Sequence, residues 1–253
     1  MIVCSVGTTD PWNASGLGLD LRVARDLGAI LVSVVAGISA QDARGLRRAI
    51  AIEPAIIEAQ FDALDALEID AYRIGALLDA PSVEIIAHRM ANARAPIVYD
   101  PALGPTAGGR FADDGTIERI RSGLVPRCTL VTPNLAEAEA LLAQPLSSAQ
   151  IEHAARSLVD AGARAALVKG SDKAGVRAVD VLAMRDGEAV AVHRFEDERL
   201  DVEMRGTGCL LAFAIAVSLA RGDGLVEAVQ TGRSFVREKM TRAIKLGSFF
   251  IAD

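Results

Sequence analysis

Apolar residues gather into short runs rich in Val, Ile and Leu, separated by longer segments where apolar and polar positions recur with a helical period. The runs at 2–6, 30–36, 71–74, 97–99, 130–131 and 165–168 are too short for helices and nearly free of polar alternation, the pattern of strands buried on both faces. Residues 147–161 illustrate the intervening segments: Ile151, Ala154, Ala155 and Leu158 share one face, Ser147 and Gln150 form a capping box, and Gly162 can close the helix. Such alternation predicts right-handed βαβ units, hence an α/β fold with a mostly parallel sheet covered by helices on both sides. The rhythm changes at 179–182 and 189–195, which read as a hairpin turned by "RDGE", and two helices follow at 208–221 and about 225–244. No repeat or linker divides the chain, so 1–253 reads as a single domain.

In an open sheet of this kind ligands bind beyond the carboxyl ends of the strands. The residues expected there are "TTDPWNASGLGLD" after the first strand, "GISAQD" after the second, Gly75 after the third, Asp100-Pro101 after the fourth, "TPNLAEAE" after the fifth and Lys169-Gly170 after the sixth. Polar and glycine positions therefore collect on one rim.

Composition narrows the chemistry. The 253 residues are 51% apolar and 24% charged, with a formal net charge of -6 and no basic stripe interleaved with aromatics, which argues against nucleic acid as a partner. The uncharged apolar run at 210–220 is too short to cross a bilayer, and "MIVCSVG" lacks the pattern of a signal peptide, so no membrane association and a cytoplasmic location are expected. Cys4, Cys128 and Cys209 are widely spaced, and His88, His153 and His193 are scattered, which predicts neither a disulfide framework nor a transition-metal site. The P-loop signature and the G-x-S-x-G elbow are absent, and "GTGCLL" lacks the third small residue of a dinucleotide fingerprint.

What remains is "GTGC" itself, Gly206, Thr207, Gly208 and Cys209, at the start of an apolar helix. Glycines permit unusual dihedrals and close approach, while the helix start offers unpaired N–H groups and the positive end of its dipole, a combination suited to an anion. In that field the pKa of Cys209 is expected to be lowered, making its sulfur a proton acceptor for an alcohol attacking a phosphoryl group. Read locally, the same residues also fit a plain turn followed by a small buried cysteine.

Several separated motifs carry a resemblance. "DPWNASGLGLD", "SAQD", "RIGAL", "VYDPAL", "VTPNLAEAEAL", "LVKG" and "GTGC" occur in the order seen in the hydroxymethylpyrimidine and phosphomethylpyrimidine kinases of thiamine biosynthesis, and the chain resembles that family over nearly its whole length. The resemblance implies a ribokinase-like three-layer α/β/α sandwich, a kinase using ATP and Mg2+, and a homodimer. It implies that "GTGC" forms an anion hole for the transferred phosphoryl group, and that Cys209 is the base, where sugar-kinase relatives have an aspartate. It also implies acceptor contacts from Asp10, Gly16, Gln41 and Gly75, and nucleotide-side roles for Asn134, Lys169 and Asp100, with Glu137 reaching magnesium through water.

Each position has a structural reading beside the implied one. Asn134 and Glu137 match a helix cap with its reciprocal acid, and both roles are compatible because magnesium keeps many waters. Lys169, ending a buried strand, must reach either solvent or an anion. Asp100 suits the turn shaped by Pro101, or a place near magnesium and the catalytic network; Asp10 and Asp20 suit turn and cap positions. The planar amide of Gln41 fits the paired edge groups of an aminopyrimidine, and equally a surface loop.

Departures from the family pattern fall mainly on the acceptor side. Trp12 and Asn13 stand where serine and glycine are usual, Ala76 replaces one methionine and Leu103 or a neighbour a second, Arg205 replaces a histidine, and the tail "KLGSFFIAD" lacks a glycine-histidine-glycine finish. On the nucleotide side "KGSD" replaces lysine-glycine-glycine-histidine. Trp12 is expected either to stack on the acceptor ring or to fill space. The expected activity is phosphorylation of a hydroxymethyl group, or its monophosphate, on a small heteroaromatic ring. The alternatives are a kinase for pyridoxal or another hydroxymethyl heterocycle, and a catalytically silent ligand-binding protein on the same fold.

Overall fold

In the computed structural model, which describes residues 1–42, 44–104, 110–170 and 176–253 (Ser148 by its backbone alone), the six apolar runs all become strands of one sheet. In chain order the elements are β1 (Ile2–Thr9), α1 (Gly16–Ala24), β2 (Ile30–Asp42), β3 (Gly45–Ala51), α2 (Pro54–Asp62), β4 (Ala71–Ile74), α3 (Ala80–Met90), β5 (Ile97–Tyr99) and α4 (Asp114–Arg119). Then follow β6 (Leu130–Val131), α5 (Leu135–Leu142), α6 (Ile151–Asp160), β7 (Ala165–Gly170), β8 (Arg177–Asp186), β9 (Ala189–Glu198), α7 (Thr207–Ala220), α8 (Leu225–Thr241), β10 (Ile244–Leu246) and β11 (Phe249–Ile251). The nine-stranded order is β3-β2-β1-β4-β5-β6-β7-β8-β9; the six strands from β2 to β7 are mutually parallel, and β3, β8 and β9 add antiparallel edges.

Pleating sends alternate residues to opposite faces, so each strand feeds two cores. One contains Cys4, Val6, Ile74 and Tyr99 with Ile57, Phe61, Ile86, Leu141 and Ala154 of the helices on that side. The other contains Val3, Ala71 and Val98 with Leu19, Val23, Leu210, Phe213 and Ile215. The result is the expected three-layer α/β/α sandwich. Helix α7 is buried from Leu210 to Ser218, as an apolar helix without a polar face must be.

Local signals set many of the boundaries. The Ser147–Gln150 capping box is present, and Gly162, at φ +113°, closes the turn after α6. The "RDGE" hairpin forms with Gly187 at φ +59° in its two-residue turn.

Two regions depart from the sequence expectation. Strand β2 does not end at Ala36: β1 stops at Thr9 opposite Ile38, and the "SAQD" stretch continues as strand by pairing with β3 alone. An exposed edge strand needs no apolar run, so "GLRRAIA" carried no strand signal. At the other end, α8 stops at Thr241 instead of reaching 244, and "IKLGSFFI" folds back as the β10–β11 hairpin with Gly247 at φ +63°. Hydrogen bonding of Arg205 N to Phe250 O at 2.8 Å ties this hairpin to the segment before α7.

The chain leaves β1 for β2 on one side and returns to β4 on the other. That reversal opens a crevice at the carboxyl end of β1, where the candidate residues lie.

Candidate active site

The loop after β1 is organised by Asp10, whose buried carboxylate accepts from Trp12 N at 2.8 Å, Ser15 N at 3.0 Å and Ser15 Oγ at 2.9 Å. Gln41 reaches the same group from the end of β2, its Nε2 donating to Ser15 Oγ at 3.2 Å. Asp10 and Gln41, distant in sequence, thus share Ser15. Gly16 follows at φ +60°, and a Cβ there would lie 2.3 Å from Thr8 O, so only glycine fits.

Trp12 is half-buried and fills space against the C-terminal hairpin. Its ring stacks on Phe249 with centroids 4.9 Å apart, and Arg205 lies 4.4 Å over the same Phe249 ring. The tail that departs from the family pattern is therefore what packs on the tryptophan and arginine that also depart from it.

Across the crevice, Gly206 is the residue before α7, at φ +79°, and a Cβ on it would meet Ala14 O at 2.2 Å. It has no side chain to cap the helix, so the N–H groups of Thr207, Gly208 and Cys209 are left without intrahelical partners. Gly208 faces an ion pair: Lys169 Nζ sits 2.9 Å from Asp100 Oδ1, and a Cβ on Gly208 would lie 3.1 Å from Nζ and 3.4 Å from Asp100 Oδ2. The anion that Lys169 meets in this structure is Asp100. Thr132 Oγ1 donates to the same carboxylate at 3.3 Å.

Asn134 and Glu137 form the reciprocal cap of α5: Glu137 N donates to Asn134 Oδ1 at 2.9 Å, and Asn134 N donates to Glu137 Oε2 at 2.8 Å. A backbone bridge between Asn134 and Lys169 holds this cap beside the Asp100–Lys169 pair.

Sequence reading overlooked Arg73, noted only as part of "RIGAL". Its guanidinium is fully buried, with Nη1 3.3 Å from Asp20 Oδ2 and Nη2 3.4 Å from Asp100 Oδ2. Gly75 makes room for it, since a Cβ there would fall 2.5 Å from Arg73 Nη1. Asp20, read as a cap or turn residue, lies instead in the middle of α1, where it accepts from Ser5 Oγ at 2.9 Å. The available signal was an arginine within a short, otherwise uncharged strand of a sheet expected to be covered on both faces, where a charge has to find partners.

The electrostatics correct one expectation. The Cys209 thiol is raised, not lowered: burial is the largest cause, and Asp100 and Asp20 add to it, against Arg73 and the Gly16 N–H. A helix start lowers a thiol only where burial and nearby carboxylates do not outweigh it. Burial likewise lifts Asp20 to about 6 despite Arg73 and Ser5, and lifts Glu137 to about 7 against Lys169, with Asp100 adding to the rise. For Asp100, Lys169 and Arg73 overcome burial and hold the carboxyl below its usual range. The centre therefore gathers three carboxylates, Asp20, Asp100 and Glu137, around two cations, Arg73 and Lys169.

That donor set fits a magnesium–nucleotide complex. Among the described residues no group of three or more His, Cys, Asp and Glu forms a metal cage, and magnesium requires none: one or two carboxylates with waters and phosphates suffice. The excess of acids at Asp100 and Glu137 is what a divalent cation would offset.

The family model described as phosphomethylpyrimidine kinase matches residues 10–252. The hydroxymethylpyrimidine/phosphomethylpyrimidine kinase of Escherichia coli strain K12 is 32% identical over 244 residues, covering 94% of this chain and 90% of that one. The thiamine biosynthesis bifunctional protein ThiED of Geobacter sulfurreducens is 32% identical over 249 residues, 97% of this chain, which spans 50% of that longer protein. In architecture the chain is similar to a Staphylococcus aureus pyridoxal kinase solved with pyridoxal, with a TM-score of 0.88 at 22% identity over 100% of this chain and 92% of that one. It is equally similar to the Bacillus subtilis pyridoxal kinase solved as an ADP complex, at 23% identity, TM-score 0.88, and 100% and 96% coverage. Those two likenesses establish the ribokinase-like fold, and the match in sequence along almost the whole chain establishes descent: the protein belongs to the phosphomethylpyrimidine kinase family.

Proposed function

We propose that residues 1–253 act as a single kinase domain that transfers the γ-phosphoryl group of ATP, with Mg2+, to a hydroxymethyl group or its monophosphate on a small heteroaromatic ring. Hydroxymethylpyrimidine and its phosphate are the first acceptors to test. The observation that carries this reading is the placement of Gly206–Cys209: an uncapped helix start with the Asp100–Lys169 pair beside Gly208 and the Ala14 carbonyl, in the loop that Asp10 holds, beside Gly206.

The backbone N–H groups of Thr207, Gly208 and Cys209 hold the oxygens of the migrating phosphoryl group, and the dipole of α7 favours its charge. Lys169, half-buried beside Gly208, neutralises a nucleotide phosphate and is held for that task by Asp100. Magnesium, when bound with the nucleotide, supplies charge neutralisation at the phosphates, and Glu137 would hold it through water while Asn134 keeps Glu137 in place. On the acceptor side Asp10 fixes the loop, Gln41 presents its amide to the ring edge, and Gly16 and Gly75 let the backbone and Arg73 come close. The thiolate form of Cys209, a minor species at neutral pH because burial raises the thiol, accepts the alcohol proton as that oxygen attacks the γ-phosphorus and ADP leaves; positioning and charge carry most of such a reaction.

The protein's partners in this reading are a nucleotide and a small molecule, in the cytoplasm. A homodimer is supported by Ile38 and Ile50, directly opposite each other on the β2–β3 edge and 49% and 62% exposed.

The test is coupled ADP release with ATP and Mg2+ against hydroxymethylpyrimidine, its monophosphate, pyridoxal, pyridoxine and related ring alcohols. Turnover with the pyrimidines supports the reading. Turnover with pyridoxal alone moves the protein to the second reading, which the remodelled wall of Trp12, Arg205 and Phe249 favours; ligand binding without ADP from any acceptor overturns both. Cys209→Ala is expected to lower kcat about a hundredfold or more while nucleotide binding persists.

A further inference from the structure

Arg205 is fixed by its backbone and by one ring contact. Its N–H donates to Phe250 O at 2.8 Å, Met204 before it bridges to the same Phe250, and its guanidinium carbon lies 4.4 Å over the Phe249 ring. A cation over a ring face acts through its charge and leaves its N–H groups free for other partners. Among the described residues that guanidinium makes no hydrogen bond or ion pair, although the residue is half-buried. By contrast Arg73 faces Asp20 and Asp100, Lys169 faces Asp100, and Arg22 donates to the carbonyls of Asn13 and Ala252. The position is also a defined one. Gly206 follows, where a Cβ would meet Ala14 O at 2.2 Å, so Arg205 stands where the loop after β1 meets the start of α7. Trp12 of that loop stacks on the same Phe249 ring, and the unpaired N–H groups of α7 begin at Thr207.

We propose that Arg205 is a specificity-determining residue: its guanidinium fork binds the phosphate of an acceptor that is already a monophosphate, so the chain prefers the phosphorylated ring alcohol to the free one. The inference rests on the kinase reading above. A phosphate monoester carries a charge of about −1.5 to −2 near neutral pH and three acceptor oxygens, which suit a bidentate pair with arginine. Seating that anion beside a nucleotide triphosphate calls for a cation that no carboxylate has already offset, and Arg205 meets this condition where Arg73 and Lys169 do not. The free alcohol offers the fork nothing to bind. In the reaction so selected, an oxygen of the acceptor's phosphate attacks the γ-phosphorus, the bond from that phosphorus to the ADP oxygen breaks, and the products are ADP and the acceptor diphosphate. The attacking oxygen of the dianion has no proton to lose. Lysine would keep the charge but not the fork.

The test compares hydroxymethylpyrimidine with its monophosphate, by kcat/KM from coupled ADP release and by isothermal titration calorimetry without nucleotide. In the wild type the kcat/KM of the monophosphate is expected to exceed that of the alcohol about tenfold or more. In Arg205→Gln that ratio should fall about tenfold or more, and the ratio of the two calorimetric Kd values should move by a similar factor. Arg205→Lys should lose about threefold to fivefold of the preference. An arginine that only holds the hairpin against Trp12 would weaken both acceptors alike and leave the ratios where they were. A wild type without preference, no detectable binding of the monophosphate, or unmoved ratios in folded Arg205→Gln overturns the proposal; if that variant does not fold, unmoved ratios in Arg205→Lys do so. Calorimetry needs no turnover, so if the wild type releases no ADP with either compound the kinase reading fails for them while the binding ratio still decides the role of Arg205.

Discussion

Trp12 and Phe249 stack with their ring planes inclined by 28°, joining the loop after the first strand to the C-terminal hairpin. Because Arg205 lies over the same Phe249 ring, immediately before Gly206, the hairpin touches both walls of the crevice at once. Trp12, Arg205 and the tail that carries Phe249, all read from the sequence as departures from the family pattern, therefore form one unit.

Trp12 is the only tryptophan, so its emission reports on this contact directly. Phe249→Ala should shift that emission to longer wavelength, and a double-mutant cycle with Trp12→Ala should give a coupling of about 1 kcal/mol in urea unfolding. The acceptor KM should rise about threefold or more, with the nucleotide KM unchanged. An unshifted spectrum in Phe249→Ala would mean the stack does not form in solution.

The two glycines of the "GTGC" loop should respond differently to alanine. At Gly206 the backbone is left-handed and the added Cβ meets the fixed carbonyl of Ala14 at 2.2 Å, so Gly206→Ala should cost about 3 kcal/mol or more in chemical denaturation. At Gly208 the nearest atom is the end of the Lys169 side chain at 3.1 Å, which can move. Gly208→Ala should unfold within about 1 kcal/mol of wild type yet lose about a hundredfold in kcat, because the methyl group occupies the phosphoryl position. Equal stability losses in the two variants would contradict this assignment.

Glu137 gives the protein a pH-dependent stability of definite sign. Its carboxyl rises from the ordinary 4.5 to about 7 on folding, so between those values the folded chain holds a proton that the unfolded chain has released. Stability contributed by that proton is full below pH 4.5 and is lost as pH rises through about 7, by up to about 3 kcal/mol. The urea midpoint of the nucleotide-free protein should therefore fall between pH 5 and pH 8. Glu137→Gln, which mimics the protonated acid, should flatten that slope, and a slope unchanged in the variant would place its origin elsewhere.

Much of the site was readable because its signals are local. The Asn134–Glu137 cap is made within one helical turn, and Gly206 and Gly16 are demanded by the backbone angles of short loops. Cys209 was placed correctly at a helix start and assigned the wrong charge tendency, because a helix dipole can be read from a sequence whereas burial and opposing carboxylates cannot. Arg73 was overlooked for the same reason: its partners lie 53 and 27 residues away and meet it only through the packing of α1 and the end of β5 against one face of the sheet.

The amino-acid order alone determined the alternation of strand and helix, the rim on which chemistry collects, and the loop that begins α7. These follow from periodicities and hydrogen bonds spanning a few residues, which hold wherever the segment is placed. Tertiary structure decided that "SAQD" is strand and that the tail closes on Trp12. It also decided that Asp20, Arg73, Asp100 and Lys169 link up beside the start of α7, because those outcomes depend on which faces the pleated sheet turns toward each helix and how much water that packing removes.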